Sequence, residues 1–198
     1  MDLYDFGNQN INGDSVAGIL HSIVSVGHEH DGEVPTDLEL ARIVVALAKY
    51  SSGEIENTDF VCDPAAGSGN LISTAISIYN LTPTQIVAND VNSKLVELLS
   101  LRLGLNYANI ISSRNSPAIY NRDLADIDPT FFKSVKVVVM HPPFMAGINC
   151  VERKQPLYRS IRRITGNDAK TNVGQMPLES VFLELLLELV QPGTTVSC

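Results

Sequence analysis

The residues in this chain whose types and spacing best suit chemistry form a glycine-containing turn that begins with an acid. Residues 63–70 read DPAAGSGN, follow two apolar residues and precede Leu71. This order predicts a turn from a strand to a helix. Because Gly67 and Gly69 have no Cβ atoms, the main chain there can lie against a ligand, and the start of the helix offers free N–H groups. The turn therefore predicts a nucleotide cradle, although a single Gly-x-Gly can also be an ordinary tight turn.

Two features of this turn narrow the class of ligand. A dinucleotide-binding turn has the pattern G-x-G-x-x-G and places a pyrophosphate on the helix end, whereas Ile72 stands at the position of the third glycine. A carboxylate such as Asp63 repels anions and instead suits a ligand that carries amines or hydroxyls. S-adenosylmethionine has a charged amino group, a sulfonium and a ribose, and it therefore fits this turn better than NAD does.

Two further acids stand where the next strands should end. Asp90 comes 21 residues after Gly69 and follows the apolar residues 86–88, so it is placed to accept hydrogen bonds from ribose hydroxyls. Asp123 comes at the next expected strand end and could accept a hydrogen bond from an adenine amino group. Each acid alone could equally be a helix cap or a turn residue. Together with Asp63, they favour a single pocket at one edge of a sheet.

The fourth candidate segment is His141-Pro142-Pro143-Phe144, which follows the mostly apolar run 135–140. Two prolines directly after a strand fix the backbone and remove N–H donors, which leaves carbonyl groups free to accept hydrogen bonds. Such a segment suits an amino group, and the ring of Phe144 offers a face on which a base could stack. A rigid end to the strand is the structural alternative.

The elements that must position these residues alternate between strands and helices, which predicts an α/β fold with a parallel sheet. The run 135–140 is rich in β-branched residues and is typical of a strand that is buried on both faces. Asn92 and Gly104 are predicted to begin and end the helix that follows Asp90. The predicted strands are 60–62, 85–88, 135–140 and 194–196, and the predicted helices are 15–26, 36–50, 71–79, 93–103 and 177–190.

The composition is that of an ordinary globular protein, with 44% apolar and 18% charged residues, and the length of 198 residues predicts one domain and at most a small appendage. Three scattered cysteines without metal-ligand spacing favour a reducing compartment, so the cytoplasm is the expected location. No segment has the length and apolar character of a membrane span. His28, His30 and the acids beside them are expected to form a solvated loop rather than a metal site.

The basic residues of this acidic chain are unevenly distributed. The net charge is −8, which argues against a chain that is basic throughout, yet six of the fourteen Lys and Arg residues fall in 153–170. This local excess is the candidate surface for phosphate groups, although such a run is more often a solvated loop. Residues 147–174 are predicted to be irregular. The six basic residues are Arg153, Lys154, Arg159, Arg162, Arg163 and Lys170.

The last residues of the sequence predict an unfinished sheet. Residues 194–196 look like the start of a strand, and the sequence ends two residues later. A sheet that ended on half a strand would leave an unpaired apolar edge, which proteins avoid. We therefore expect this chain to be the N-terminal part of a longer polypeptide.

These segments resemble the motifs of amino-group DNA methyltransferases, specifically the adenine-N6 enzymes such as the methylation subunits of type I restriction systems and related phage-defence methylases. Residues 63–71 are similar to the cofactor motif of that family, and the segments around Asp90 and Asp123 are similar to its next two motifs. Residues 141–144 (HPPF) resemble its catalytic Asn/Asp-Pro-Pro-aromatic motif. Pro35-Thr36 is a looser match to the Thr-Pro that contacts the methionine end of the cofactor. The resemblance covers about 34–196.

The resemblance implies a class I S-adenosylmethionine-dependent methyltransferase fold, which is Rossmann-like, and S-adenosylmethionine as the cofactor. Residues 1–33 would be an N-terminal helical extension, and residues 34–198 would be a catalytic domain that is incomplete near its fifth strand. DNA is the implied partner, together with specificity or restriction subunits of a larger complex. The implied cofactor-binding residues are Thr36, Asp63, Ala65, Gly67, Gly69, Asn70, Asp90 and Asp123, and the implied catalytic residues are His141, Pro142, Pro143 and Phe144.

The resemblance also implies a mechanism. The target adenine leaves the duplex and stacks on the aromatic residue, while the first side chain of the motif and a proline carbonyl accept hydrogen bonds from the exocyclic amine. This arrangement orients the amine nitrogen toward the methyl donor. The basic residues Arg153, Lys154, Arg159, Arg162 and Arg163 would face DNA phosphate groups.

His141 departs from the family pattern, which has Asn or Asp at this position. An imidazole offers at most one acceptor nitrogen, and protonation removes it. The alternative hypothesis is therefore a catalytically impaired module that binds the cofactor or DNA within such a complex. A third hypothesis keeps the fold and changes the substrate, because Asn-Pro-Pro-aromatic sites also act on glutamine side chains of proteins and on RNA bases.

Overall fold

A computed structural model describes residues 36–109, 111–112, 115–145, 150–172 and 176–198, together with Asp14, Ser15 and Ile19. The predicted extension at 1–33 and its helix at 15–26 lie almost wholly outside the described residues. The loop that contains His28 and His30 lies outside them too.

Five strands form one parallel sheet in the order β3-β2-β1-β4-β5. The pairing places Asp63 opposite Ala88 and Asp90 opposite Asn121. Because the strands are parallel, the segments that follow them emerge at the same edge of the sheet. The predicted α/β fold with a parallel sheet is confirmed. The strands are β1 (Phe60–Asp63), β2 (Ile86–Asp90), β3 (Ala118–Asn121), β4 (Val135–Val139) and β5 (Thr195–Ser197).

Five α-helices cover the two faces of this sheet within the described part of the chain. The first three share one apolar cluster with alternate residues of the strands, including Val61, Ile86 and Val137. The last two belong to a second cluster, which contains Cys62 and Val138 from the other side of the pleat. The helices are α1 (Leu38–Ser52), α2 (Asn70–Tyr79), α3 (Ser93–Asn106), α4 (Val151–Thr165) and α5 (Leu178–Leu189).

Local hydrogen bonds explain where the first helices begin. Asp37 caps α1, because its Oδ1 accepts a hydrogen bond of 2.7 Å from the Glu39 N–H. Asn92 caps α3 as predicted, with its Oδ1 3.0 Å from the Lys94 nitrogen. Gly69 precedes α2 with a φ of 89°, a left-handed conformation that glycine adopts without strain.

Two local predictions were wrong. Gly104 does not end its helix, since α3 continues to Asn106 and Tyr107 is the terminal cap. A glycine inside a helix weakens it only modestly when neighbouring turns are well packed. Residues 147–174 are not irregular throughout, because α4 occupies much of that range and buries Leu157 and Ile161 against α5. Pro156 lies inside α4. Because proline is disfavoured in helix interiors, this helix is difficult to predict from the sequence.

Substitution of Gly69 by alanine is expected to destabilise the protein by about 2–4 kcal/mol. An added Cβ would lie 2.3 Å from Cδ1 of Leu99, which is fully buried, and the positive φ disfavours any side chain. Gly104→Ala is the matched control, because nothing lies within 4 Å of its added Cβ and alanine is the better helix former. We expect that change to raise stability by about 0.5–1 kcal/mol. Urea unfolding of both variants measures these effects, and equal stabilities would contradict the packing argument.

Candidate active site

A cleft of about 530 Å³ lies at the carboxyl ends of β1, β2 and β4. This size is within the range of small-molecule sites. The wall formed by α4 and α5 includes Glu152, Arg153, Leu178 and Phe182, none of which the sequence argument assigned to the cofactor or to catalysis. Residues of the predicted cofactor and catalytic sets that line the cleft are Thr36, Ala65, Gly67, Asn70, Asp90, Asp123, His141, Pro142 and Pro143.

The cradle itself is held by hydrogen bonds from its main chain. The Ala66 N–H donates to the carbonyl of Asn89 over 2.9 Å, and the Gly67 N–H donates to Asp90 Oδ2 over 2.8 Å. Gly67 has a φ of 53°, and a Cβ added there would meet nothing within 4 Å, because the residue faces the cleft. The loop after β1 is therefore attached to the end of β2 and presents its backbone to the cleft.

Asp63 lies beneath the cradle rather than in the wall of the cleft. The residue is fully buried, and its Oδ1 accepts a hydrogen bond of 3.0 Å from the Ala65 N–H. Its Oδ2 is buried without a hydrogen-bond partner. Burial raises the pKa of Asp63 well above its ordinary value, the Ala65 N–H opposes that shift, and the Asp90 carboxylate adds to it. Asp63 thus acts on the site through the loop that it holds.

Asp90 and Asp123 lie in the cleft wall and also stabilise local turns. Asp90 Oδ1 accepts a hydrogen bond of 2.8 Å from the Asn92 N–H, while its other oxygen bonds Gly67. Asp123 Oδ1 accepts a hydrogen bond of 2.9 Å from the Ala125 N–H. The turn-residue interpretation and the binding interpretation are therefore compatible, because each carboxylate oxygen has a second lone pair for a ligand.

Asn89 was missed by the sequence argument, although it connects three parts of the site. Its Nδ2 donates to the carbonyl groups of Pro64 and Arg122 over 3.1 Å and 3.0 Å. Its Oδ1 accepts a hydrogen bond of 3.1 Å from the Arg122 N–H. The sequence signal that could have revealed Asn89 is an amide side chain within an apolar strand. In the structure Asn89 is 2% exposed, so its polar atoms must form hydrogen bonds within the protein.

Thr36 reaches the cradle through Asn70. Asn70 Nδ2 donates to the carbonyl of Thr36 over 2.6 Å, and both residues line the cleft. The start of α1 is thereby attached to the first residue of α2, which brings the Thr36 segment beside the cradle.

The segment after β4 enters the same cleft. His141, Pro142 and Pro143 line it, whereas Phe144 does not and is 43% exposed. The ring centroids of His141 and Phe144 are 4.8 Å apart with an interplanar angle of 58°. The imidazole is therefore packed beside an accessible aromatic ring, next to two residues that lack N–H donors.

Solved structures show what this architecture is similar to, whereas no family model and no curated protein matches the chain. The type IIG restriction endonuclease BpuSI is 40% identical over 97% of this chain, with a TM-score of 0.88. The methyltransferase subunit of a type I restriction-modification system from Streptococcus thermophilus is 18% identical over 82% of this chain, with a TM-score of 0.58. A Listeria monocytogenes protein assigned to the class I S-adenosylmethionine-dependent methyltransferases is 19% identical over 94% of this chain, with a TM-score of 0.59.

The chain has the class I methyltransferase fold. The restriction-modification proteins among its neighbours confirm the family resemblance predicted from the motifs. The chain spans 22% of the length of BpuSI, 33% of the Streptococcus subunit and 53% of the Listeria protein.

The basic residues that follow the segment 141–144 lie on or near α4, but they are not equivalent. Lys154 is 4% exposed and donates to the carbonyl of Met176 over 2.8 Å, so the prediction that it faces DNA phosphate is not supported. Arg153 lines the cleft. Arg159 and Arg163 line a separate depression of about 220 Å³, and Arg162 is exposed and forms a 3.5 Å ion pair with Asp168.

None of the described helices is long and apolar enough to cross a membrane. In the same part of the chain, no cluster of three or more His, Cys, Asp or Glu side chains could hold a metal ion.

Glu184 on α5 holds the turn that follows α4. Its carboxylate accepts hydrogen bonds from the N–H groups of Lys170 and Thr171, at 2.7 Å and 2.9 Å, and from the Thr171 hydroxyl. Burial tends to raise the pKa of Glu184, but these hydrogen bonds and the Lys170 charge outweigh it, so the pKa is lowered. The ionised carboxylate therefore stabilises the turn that follows the helix carrying the arginines.

Glu184→Gln is expected to lower the free energy of unfolding by about 1 kcal/mol near neutral pH, because the amide cannot accept all of these hydrogen bonds as a carboxylate does. A lowered folded pKa contributes stability above the ordinary pKa of glutamate, and this contribution is lost as the pH falls through the folded value. The difference between the two proteins should therefore disappear in acid. Denaturant unfolding across the pH range measures it, and Glu188→Gln, an exposed change on the same helix, is the control. A difference that persisted in acid would contradict this assignment.

Proposed function

We propose that this chain is the cofactor-binding and catalytic part of a DNA methyltransferase of a restriction-modification or phage-defence system, which transfers a methyl group from S-adenosylmethionine to the N6 amine of adenine. One observation carries the proposal: the cradle residue Gly67, the acid Asp90 and the segment that begins with His141 and Pro142 line the same cleft. The neighbours with restriction-modification activity support the substrate class.

The charges around the cradle support S-adenosylmethionine over NAD. Asp63 beneath the loop and Asp90 and Asp123 in the wall place carboxylates beside the site. A positive ligand group lowers the cost of ionising a buried carboxyl such as Asp63, whereas a pyrophosphate raises it. Asp90 would accept hydrogen bonds from the ribose, and Asp123 would accept one from the adenine amino group of the cofactor. When bound, S-adenosylmethionine supplies the electrophilic methyl group.

The segment after β4 offers two hydrogen-bond acceptors, which matches the two protons of an exocyclic amine. A neutral His141 offers one ring nitrogen, and the carbonyl of Pro142 offers another acceptor; Pro142 and Pro143 themselves carry no N–H donor. Two acceptors on one amine hold its nitrogen in a fixed orientation toward the cradle. Phe144, which is 43% exposed, offers its ring to a base that has left the duplex.

The alternative function is a module that binds cofactor or DNA without efficient transfer, and the specific observation that favours it is the imidazole at position 141. An imidazolium would donate a hydrogen bond to the amine rather than accept one, and it would repel a cationic methyl donor. The two functions therefore differ in how activity responds to His141 and to pH.

Methyl transfer from labelled S-adenosylmethionine to DNA by the complete polypeptide is expected, with a rate that falls in acid because an imidazolium cannot accept a hydrogen bond. His141→Asn should remain active and lose this pH dependence, because an amide does not ionise. His141→Ala removes the acceptor and should reduce the rate roughly 100-fold.

Each contrary result identifies a different error. Transfer by His141→Asn alone would establish the impaired module instead of the active enzyme. Calorimetric binding of NAD without binding of S-adenosylmethionine would overturn the cofactor assignment. Transfer to RNA or to a protein glutamine, but not to DNA, would overturn the substrate class.

Arg159→Gln is expected to weaken DNA binding and to reduce the slope of log K against log salt by about 0.9, the contribution of one phosphate contact. Arg159 is exposed on α4 and borders the depression that it shares with Arg163. Arg42→Gln on α1 removes the same charge from the helices on the opposite face of the sheet and is the control. Fluorescence anisotropy with a DNA duplex at several salt concentrations measures the slopes, and equal slopes for the two variants would contradict a DNA contact at α4.

A further inference from the structure

Arg102 on α3 is a buried charge outside the cleft, and it contacts a residue from the N-terminal segment. Arg102 is 3% exposed, and its Nε lies 2.6 Å from Oδ1 of Asp14, whose side chain is 49% exposed. Asp14 Oδ1 also accepts a hydrogen bond of 3.1 Å from Asn106 Nδ2. A guanidinium at this depth requires a counter-charge and well-placed acceptors, because removing it from water is costly.

The same guanidinium holds the cradle. Arg102 Nη1 donates to the carbonyl of Ser68 over 3.1 Å and to Oδ1 of Asn70 over 2.7 Å. Ser68 and Asn70 line the cleft, and Asn70 Nδ2 donates to the carbonyl of Thr36, which lines it as well. A continuous set of polar contacts thus runs from Asp14 through Arg102 and Asn70 to Thr36.

We propose that Arg102 is a positioning residue that couples the segment carrying Asp14 to the cofactor cradle, so that affinity for the cofactor depends on the Asp14–Arg102 ion pair. This inference rests on the proposed function, because it takes S-adenosylmethionine as the ligand of the cradle. Arg102 does not line the cleft and acts only through Ser68 and Asn70.

The physical basis is the fixed orientation of the Asn70 amide. Its oxygen accepts from Arg102 while its nitrogen donates to Thr36, so a rotation of the amide would break both contacts. Without the carboxylate of Asp14, the guanidinium would lose its counter-charge and turn toward water, which would release the Ser68 carbonyl and the Asn70 amide. The ligand would then have to order these groups when it binds, and that cost lowers affinity.

A merely structural role for Arg102 would have a different signature. It would lower the stability of the whole domain and leave the affinity of the folded fraction unchanged. A positioning role instead raises the Kd and the KM for the cofactor, while kcat at saturating cofactor stays close to that of the unchanged protein. Coupling is also reciprocal, so the bound cofactor should strengthen the attachment of Asp14.

The experiment is calorimetric titration of S-adenosylmethionine into the full chain and into Asp14→Asn, Asp14→Glu and Arg102→Lys. Asp14→Asn should bind S-adenosylmethionine with an affinity reduced roughly fivefold or more. Asp14→Glu should restore much of that affinity. Arg102→Lys should bind weakly, because an ammonium cannot contact both partners in the same geometry. Glu54→Gln is the matched control, since it breaks an exposed ion pair with Lys49 on α1. Hydrogen exchange at the amides of Asp14 and Ser15 should slow when the cofactor binds to the unchanged protein, but not in Asp14→Asn.

Failure of this inference is distinct from failure of the proposed function. If the unchanged protein does not bind S-adenosylmethionine, the cofactor assignment is wrong, and the inference falls with it. If it binds and a folded Asp14→Asn variant binds equally well, only the coupling is overturned. Because Asp14 is half exposed, its substitution tests the proposal even if Arg102→Lys fails to fold.

Discussion

The hydrogen bond from the Gly67 N–H to the Asp90 carboxylate is the interaction on which the cleft depends. It closes the loop after β1 onto the end of β2, and the parallel pairing of β1 with β4 then brings His141 to the same edge. Only a residue without a Cβ accommodates the left-handed turn at Gly67 without strain while facing the cleft. Asp90 therefore holds the loop and lines the cleft at once.

Much of the fold could be predicted from the sequence because its determinants are local. Alternating apolar runs, the cap at Asn92 and the glycine turn each depend on a few neighbouring residues, and the structure has them where they were expected. The convergence of Gly67, Asp90 and His141 in one cleft also followed from a rule of topology, since the strands of a parallel sheet share one carboxyl edge.

The remaining features depend on tertiary packing, which cannot be predicted from a short segment of sequence. Asp63 was expected to contact the ligand, but it is buried beneath the loop. The burial of a residue depends on which distant segments pack over it. Lys154 was expected on a basic surface, yet its ammonium bonds Met176, which comes 22 residues later. Asn89 and Arg102 belong to no recognisable motif, since their side chains contact partners that are 25 or more residues away in sequence. Long-range polar contacts of this kind are visible only in three dimensions.

The sheet divides the interior into two apolar layers, and among the described residues these layers share no buried side chain. Val61, Ile86 and Val137 pack with the helices behind the cradle, while Cys62, Val87 and Val138 pack with α4 and α5. Substitutions in one layer should therefore be energetically independent of those in the other. Drift in the layer of α1, α2 and α3 can therefore proceed without repacking α4 and α5, whose Leu157, Leu178 and Phe182 also line the cleft.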